Sequence, residues 1–473
     1  MADDAGAPGP DTELEYAHRM SDADMLMWTV EHDPLLRSTI TSIVLLDQAP
    51  DPEAFADKME RASRRVPRLR QRVVSNPLSV APPRWEIDPN FDIRFHLRRV
   101  RASGDGSLRN LFAIAEPLAM QGFDRARPLW EFTVVEDLED GRAGLIMKVH
   151  HAITDGVGGI KLMLETFDAE PDPGDLGPMP EEPEVHVMSQ PERVVDAVLH
   201  ERRRTLGVAK RSLGNVTGAL RDAVGDPVGA GLRVAETLGS AARLLQPATE
   251  PMSPVMTGRS LSVRFDSLTV PLSDTKAAAR RAGGRLNDAF VAAVIGGFRL
   301  YHERHDCPAS ALRMSMPINI RTKETEGQAG NQFAPARFGV PLTIRDPVAR
   351  MRAVHDLVAE ARAEPALALV EPMAAVLNRL PKEVVTSVFG SMLRGVDFVT
   401  SNVPGAPFPL YVAGAAVEAH FALGPMAGAA SNVTLLSYMD ELHIGFNTDP
   451  AAIPDPDVLM ECMREAFDEV LKA

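Results

Sequence analysis

The stretch KVHHAITDGVGG, Lys148 to Gly159, sets two imidazoles side by side, an aspartate four residues after the second, and three glycines. An imidazole titrates near neutrality and is suited to taking a proton from a hydroxyl, a contribution of about 10²–10⁴ in rate. Asp155 can fix the turn by pairing with an arginine. Gly156, Gly158 and Gly159 remove side chains and let a substrate approach the backbone. In AGLIMKVHH side chains alternate across a strand, so Leu145, Met147, Val149 and His151 share one face while Ile146, Lys148 and His150 share the other. The two imidazoles are therefore expected to point in opposite directions, one to a cleft and one to the support of the turn. They are not expected to share a metal, and no further ligands stand at suitable spacing. His302 and His305 in YHERH read as a solvated helix end.

The elements that would position this pair alternate strand and helix. STITSIVLLD (38–47) reads as a strand, and 51–66 as a helix capped by Asp51 with Pro52 in its first turn. FDIRFHLRRV (91–100) alternates as an edge strand would. A helix at about 107–120 precedes LWEFTVVEDL and AGLIMKVHH, two strands joined by EDGR. After the glycines, Ile160, Met163, Leu164 and Phe167 fall on one helical face. The proline-rich, acidic segment 171–185 reads as a crossover. The segment 193–221 is a basic amphipathic helix, suited to a lipid surface or to packing between domains. A second block begins near Leu261, with a strand, a helix capped by Ser273, a helix from about Asn287, the strand ALRMSMPINI, a strand-rich stretch 394–447 and a final helix 456–471. The division expected is 1–185, a helical linker 186–258, and 259–473. The class is α/β in two domains.

Bulk properties narrow the function. With 473 residues, 45% hydrophobic, the chain can bury a large core. Its net charge of -15 argues against a nucleic-acid partner. Two cysteines, Cys307 and Cys462, are no disulfide framework and suit a reducing cytosol. The N-terminal segment lacks the pattern of a signal peptide, and no apolar run is long enough to span a bilayer, so any membrane contact is expected to be peripheral.

The spacing His-His-x-x-x-Asp-Gly resembles the motif of the CoA-dependent acyltransferases, a group that includes chloramphenicol acetyltransferase and condensation domains. RPLWEF (127–132), LNDAF (286–290), TSNVPGAPFPLYVAGA (400–415) and MSDADMLMWTVE (20–31) are similar, in order, to landmarks of the wax ester synthase/diacylglycerol acyltransferase family. The resemblance covers nearly the whole chain. It implies two chloramphenicol-acetyltransferase-like domains around an active-site tunnel. It also implies transfer of a fatty acyl group from acyl-CoA, as substrate and with no cofactor, to diacylglycerol or a long-chain alcohol. His151 would be the base and His150 and Asp155 its supports. Asn287 would donate to the oxyanion, or else cap its helix. Asn402, Pro404 and Gly405 would shape the acyl or CoA channel, or form a plain strand-to-turn transition. Trp130 and Pro128 read as core and turn. A cytoplasmic enzyme at the surface of the inner membrane or of lipid inclusions is expected. Two rivals share the histidines. His150 and Asp155 also satisfy His-x4-Asp, the pattern of glycerol-phosphate acyltransferases, and condensation-type enzymes use carrier-bound acyl groups. A non-catalytic lipid-binding protein on the same fold is a third alternative.

Overall fold

A computed structural model describes residues 17–76, 81–153, 162–203, 248–319, 333–364 and 370–473. Two six-stranded sheets organise it. The first is built from β1 (Thr39–Leu46), β4 (Leu97–Arg101), β5 (Trp130–Glu136), β6 (Ala143–His150), β11 (Tyr411–Val412) and β12 (Ala415–Leu423), in the order β11-β12-β1-β6-β5-β4. The second contains β7 (Arg264–Pro271), β8 (Ala311–Asn319), β9 (Phe333–Pro341), β10 (Phe398–Val403), β13 (Ser431–Tyr438) and β14 (Glu441–Thr448), in the order β7-β14-β13-β10-β8-β9. Each sheet is mixed. β4 runs parallel to β5, and β10 runs parallel to both β13 and β8. A ribbon of β2 (Gln71–Val74) and β3 (Arg84–Ile87) stands apart.

The expected α/β class holds, and several elements follow their sequence signals closely. The helix Pro52–Arg65 starts where Asp51 accepts from the amides of Glu53 and Ala54. Ser107 caps Leu108–Met120 in the same way. Trp130 is fully buried, its indole N–H donating to the Leu69 carbonyl at 2.8 Å. Its loss to alanine would cost about 3–5 kcal/mol.

Other readings need correction. Residues 91–100 are not one strand. Asp92 accepts from the Arg94 amide and caps a short helical turn, Ile93–His96, so only Leu97–Arg101 is the edge strand β4. Ser273 does not cap its helix, which begins at Leu272 behind Pro271. Leu164 faces outward, 51% exposed, while Leu162 and Phe167 are buried. His302 is buried rather than solvated and shares a hydrogen bond with Ser253. Residues 190–203 are helical, and the rest of the basic segment lies outside the described residues.

The strand-rich stretch 394–447 divides between the sheets. β12 pairs antiparallel with β1, from Thr41 opposite Leu423 to Leu46 opposite Val417. A division of the chain at 259 therefore does not separate the sheets, because a strand from the later part completes the earlier one. The two sheets meet where β14 crosses β12. A Cβ on Gly445 would stand 2.3 Å from the Ala422 carbonyl oxygen, so only glycine allows this approach. The first helix, Asp22–Val30, closes the other side of the junction. Its Leu26 and Val30 pack with Ala374 and Val385 from the helices Val370–Leu377 and Lys382–Leu393.

Candidate active site

Both histidines are held by backbone before their side chains do anything. The His150 amide donates to the Leu129 carbonyl at 3.0 Å, and the His151 amide to the Ser38 carbonyl at 2.8 Å. Leu129 of the Pro-Leu-Trp stretch thus holds the end of β6, and Ser38, at the entry to β1, holds the residue that follows it. The strand ends at His150, and His151 opens a short 3-10 turn, His151–Ile153.

Strand alternation correctly separates the faces up to His150. Leu145, Met147 and Val149 join the core beneath Phe167, while His150 and Lys148 approach the ring of Phe123. His150 is 1% exposed and fully engaged. Its Nδ1 lies 3.0 Å from the Ala152 amide, and its Nε2 lies 2.8 Å from Glu31 Oε1. An amide can donate only to a ring nitrogen that carries no proton, so the contact fixes Nδ1 as acceptor and Nε2–H as donor to the carboxylate. Burial works against the Glu31 carboxylate, but the hydrogen bonds from His150 and the Ser38 amide, with the nearby Arg125, outweigh it and hold its carboxyl below the ordinary range. His151 is partly exposed and its neighbours Ala152 and Ile153 are buried.

Glu31 is a residue that chemical spacing could not reveal, since it lies 119 positions from His150. The signal was present as the last residue of MSDADMLMWTVE. Also unforeseen is His420 on β12, whose ring contacts the Ser42 hydroxyl and packs against Phe167. Burial, with the nearby His443, lowers its pKa to about 4, so it is neutral at physiological pH.

Asn287 does not cap its helix. The cap position of Leu286–Arg304 is Arg285, whose amide donates to Asp288 at 2.8 Å. That leaves the Asn287 amide partly exposed, with Nδ2 3.8 Å from Met316 Sδ on β8. β12 ends at Leu423, and Asn432 on β13 donates to the carbonyl of nearby Pro425. Asn432 pairs with Val399, Val399 with Ser315, and Met316 follows.

Asn402 pairs with Leu435, three residues or about 10 Å farther along β10 than Val399. Asn402 and Pro404 are exposed. Gly405 sits so close to β13 that a Cβ would lie 1.9 Å from the Ser437 carbonyl oxygen. These residues form a strand-to-turn transition at the end of β10. Asp155, Gly156, Gly158 and Gly159 lie outside the described residues. Among the described residues no group of three or more histidines, cysteines or acids is arranged to hold a metal.

Comparison with known proteins gives the family and the fold. The family model described as the wax ester synthase/diacylglycerol acyltransferase catalytic domain matches residues 20–290, and that of the corresponding C-terminal domain matches 329–471. A putative diacylglycerol O-acyltransferase of Mycobacterium tuberculosis is 36% identical, the match covering 96% of this chain and 92% of the relative. A probable diacylglycerol O-acyltransferase of the same organism is 27% identical over 89% of each chain. Among solved structures, the wax ester synthase/diacylglycerol acyltransferase from Marinobacter aquaeolei VT8 superposes with a TM-score of 0.64 at 20% identity, covering 96% of this chain and 98% of that one. The first condensation domain of the calcium-dependent antibiotic synthetase gives 0.58 at 13% identity, covering 97% and 96%. Both share the two-domain fold.

Proposed function

The chain belongs to the wax ester synthase/diacylglycerol acyltransferase family and is an O-acyltransferase, and we propose that it moves a fatty acyl group from CoA to the hydroxyl of diacylglycerol or a long-chain alcohol, with His151 as general base. The observation that carries the choice of base is the state of its neighbour. Both ring nitrogens of His150 are occupied, by the Ala152 amide and by Glu31. It is a support, which leaves His151, partly exposed at the turn that follows, as the candidate base.

A neutral alcohol is a weak nucleophile. As its oxygen attacks the thioester carbonyl, His151 takes the hydroxyl proton. The carbonyl oxygen becomes an oxyanion, to which the Asn287 amide donates. Collapse of the tetrahedral centre breaks the carbon–sulfur bond, and the imidazolium gives its proton to the departing thiolate. No covalent enzyme intermediate and no cofactor is required. By the resemblance of the motif, Gly156, Gly158 and Gly159 would admit the thioester and Asp155 would support the base.

The acceptor and product are lipids, and the enzyme works at a lipid surface. No helix among the described residues is long and apolar enough to cross a membrane. Instead, the helical residues Val195, Val198 and Leu199 are 58%, 53% and 43% exposed, and Val376 and Leu380 are 64% and 43% exposed. An ion pair between Glu201 and Arg379 links the two groups. An exposed apolar area of this kind fits peripheral attachment.

The deciding experiment incubates purified protein with palmitoyl-CoA and either hexadecanol or dioleoylglycerol, and follows thiol release and the lipid product. Release of thiol matched by wax ester or triacylglycerol is expected. Absence of product with both acceptors would rule the reaction out.

A further inference from the structure

The helix Leu286–Arg304 is fixed at its start by one carboxylate. Asp288, three residues after the cap position, turns back so that its Oδ2 accepts from the Arg285 amide at 2.8 Å. The same Oδ2 accepts from His355 Nδ1 at 2.9 Å. His355 belongs to another element, the helix Pro347–Arg362, and lies 67 positions away in the chain. Its Nδ1 carries the proton, because a carboxylate only accepts. The two partners differ in burial: the Asp288 side chain is 5% exposed and that of His355 46%.

Helix packing sets this meeting. Met351, Val354 and Val358 form the buried stripe of Pro347–Arg362 and join the core that holds Ala289 and Phe290. His355, one position after Val354, leaves from the edge of that stripe and reaches the first turn of the neighbouring helix. The carboxylate has no slack on its other side. A Cβ on Gly284 would stand 2.9 Å from Asp288 Oδ2, so a side chain there would push the carboxylate off both donors. The cap itself does not need the imidazole, since Asp288 satisfies the Arg285 amide without it. A contact with a half-exposed partner also adds little to stability. What His355 adds is direction: two donors from two helices converge on one oxygen and hold the turn in one orientation. Asn287 sits in that turn and lacks such an anchor of its own. The polar contact of its amide among the described residues is Met316 Sδ at 3.8 Å, and a thioether is a weak acceptor.

We propose that His355 is a positioning residue for acyl transfer: by holding Asp288 it sets the direction in which the Asn287 amide is presented to the oxyanion. The inference rests on the reading of Asn287 as the oxyanion donor. His355 itself touches no reacting atom in this scheme and acts through Asp288 and the first helical turn.

Variants of the full chain test this: His355→Ala, His355→Asn, Asn287→Ala, and the double variant with alanine at both positions. The asparagine Nδ2 can stand where the imidazole Nδ1 stood, so His355→Asn keeps a donor for Asp288. Thiol release from palmitoyl-CoA, with hexadecanol and with dioleoylglycerol, gives kcat and KM. Thermal melting gives stability, and amide hydrogen exchange read by mass spectrometry follows the Arg285 amide. His355→Ala should lower kcat by about tenfold, leave KM and the melting temperature nearly unchanged, and speed exchange at Arg285. His355→Asn should restore both the rate and the protection. In the Asn287→Ala background, His355→Ala should cost nothing further, because the group it positions is gone. Unchanged kcat in His355→Ala, an equal fold-loss in both backgrounds, or no rescue by His355→Asn would each overturn the proposal. Unaltered exchange at Arg285 in His355→Ala would overturn it without any reference to turnover. A slow Asn287→Ala beside a normal His355→Ala removes only this inference, whereas a wild-type rate in Asn287→Ala removes the oxyanion reading and this inference with it.

Discussion

Replacing Glu31 tests whether a contact remote in sequence positions the base. Glu31 Oε1 accepts from His150 Nε2 at 2.8 Å and from the Ser38 amide at 2.7 Å, in a side chain only 8% exposed. Glu31→Ala strands two buried donors. A hydrogen bond to a charged acceptor is worth about 1.5–3 kcal/mol, and sharing one oxygen between two donors reduces the sum, so a loss of about 3 kcal/mol is expected. The effect should reach turnover, because the Ser38 carbonyl on the same residue holds the His151 amide. A shift of that turn by about 1 Å would lower kcat by about 10²-fold. Glu31→Gln keeps an Oε1 acceptor for both donors and should lose about 1 kcal/mol with turnover largely retained. Urea unfolding followed by circular dichroism gives the stabilities, and thiol release from palmitoyl-CoA with hexadecanol gives the rates. A loss below about 1 kcal/mol for Glu31→Ala would refute the energetic argument. A full stability loss with unchanged kcat would refute the coupling to His151.

Three further outcomes are expected. His151→Ala should abolish acyl transfer with folding intact, whereas His150→Ala should lose stability and only part of the rate; the reverse pattern in thiol release and melting would assign the base to His150. Asn287→Ala should lower kcat by about 10²–10³ as an oxyanion donor, read in the same assay with acyl-CoA binding held as the control, and a change below a few-fold would remove it from the mechanism. Folded His420 and His443 each titrate near 4, against an ordinary value of 6.5, because burial disfavours the imidazolium. The unfolded chain then binds more protons between those values, so their contribution to stability is complete above pH 6.5 and falls as pH drops toward 4. His420→Gln, which can keep the contact to Ser42, should flatten the fall in urea midpoint between pH 7 and pH 5, and an unchanged slope would show that His420 does not titrate there.

Local signals carried the fold further than they carried the site. Asp51 with Pro52, Ser107, and the alternation in AGLIMKVHH each act within a few residues, and each fixes an element where the structure has it. Asp92 acts just as locally, but its capping overrode an alternation that read as strand. Arg285 took the cap that Asn287 seemed made for, because Asp288 three residues on could reach back to its amide. The histidine pair was legible as chemistry. Its lock was not, since Glu31, Ser38 and Leu129 are brought to it by strand pairing and helix packing across more than one element. The placement of β12 was illegible for the same reason: nothing in AAVEAHFAL specifies which of two sheets it will join.

That placement also matters while the chain is being made. β1 has one edge against β6 and the other against β12, so after His150 has left the ribosome the second edge waits for Ala415. The interval is 265 residues (415 minus 150), roughly 13–50 s at a synthesis rate of about 5–20 residues per second. Throughout it, Ile43, Val44, Leu45 and Leu46, all buried in the finished protein, border an unpaired strand edge. Such an edge invites pairing with a neighbouring nascent chain. Slower growth at lower temperature would lengthen this window, whereas co-expression of residues 390–473 as a separate fragment would close it early.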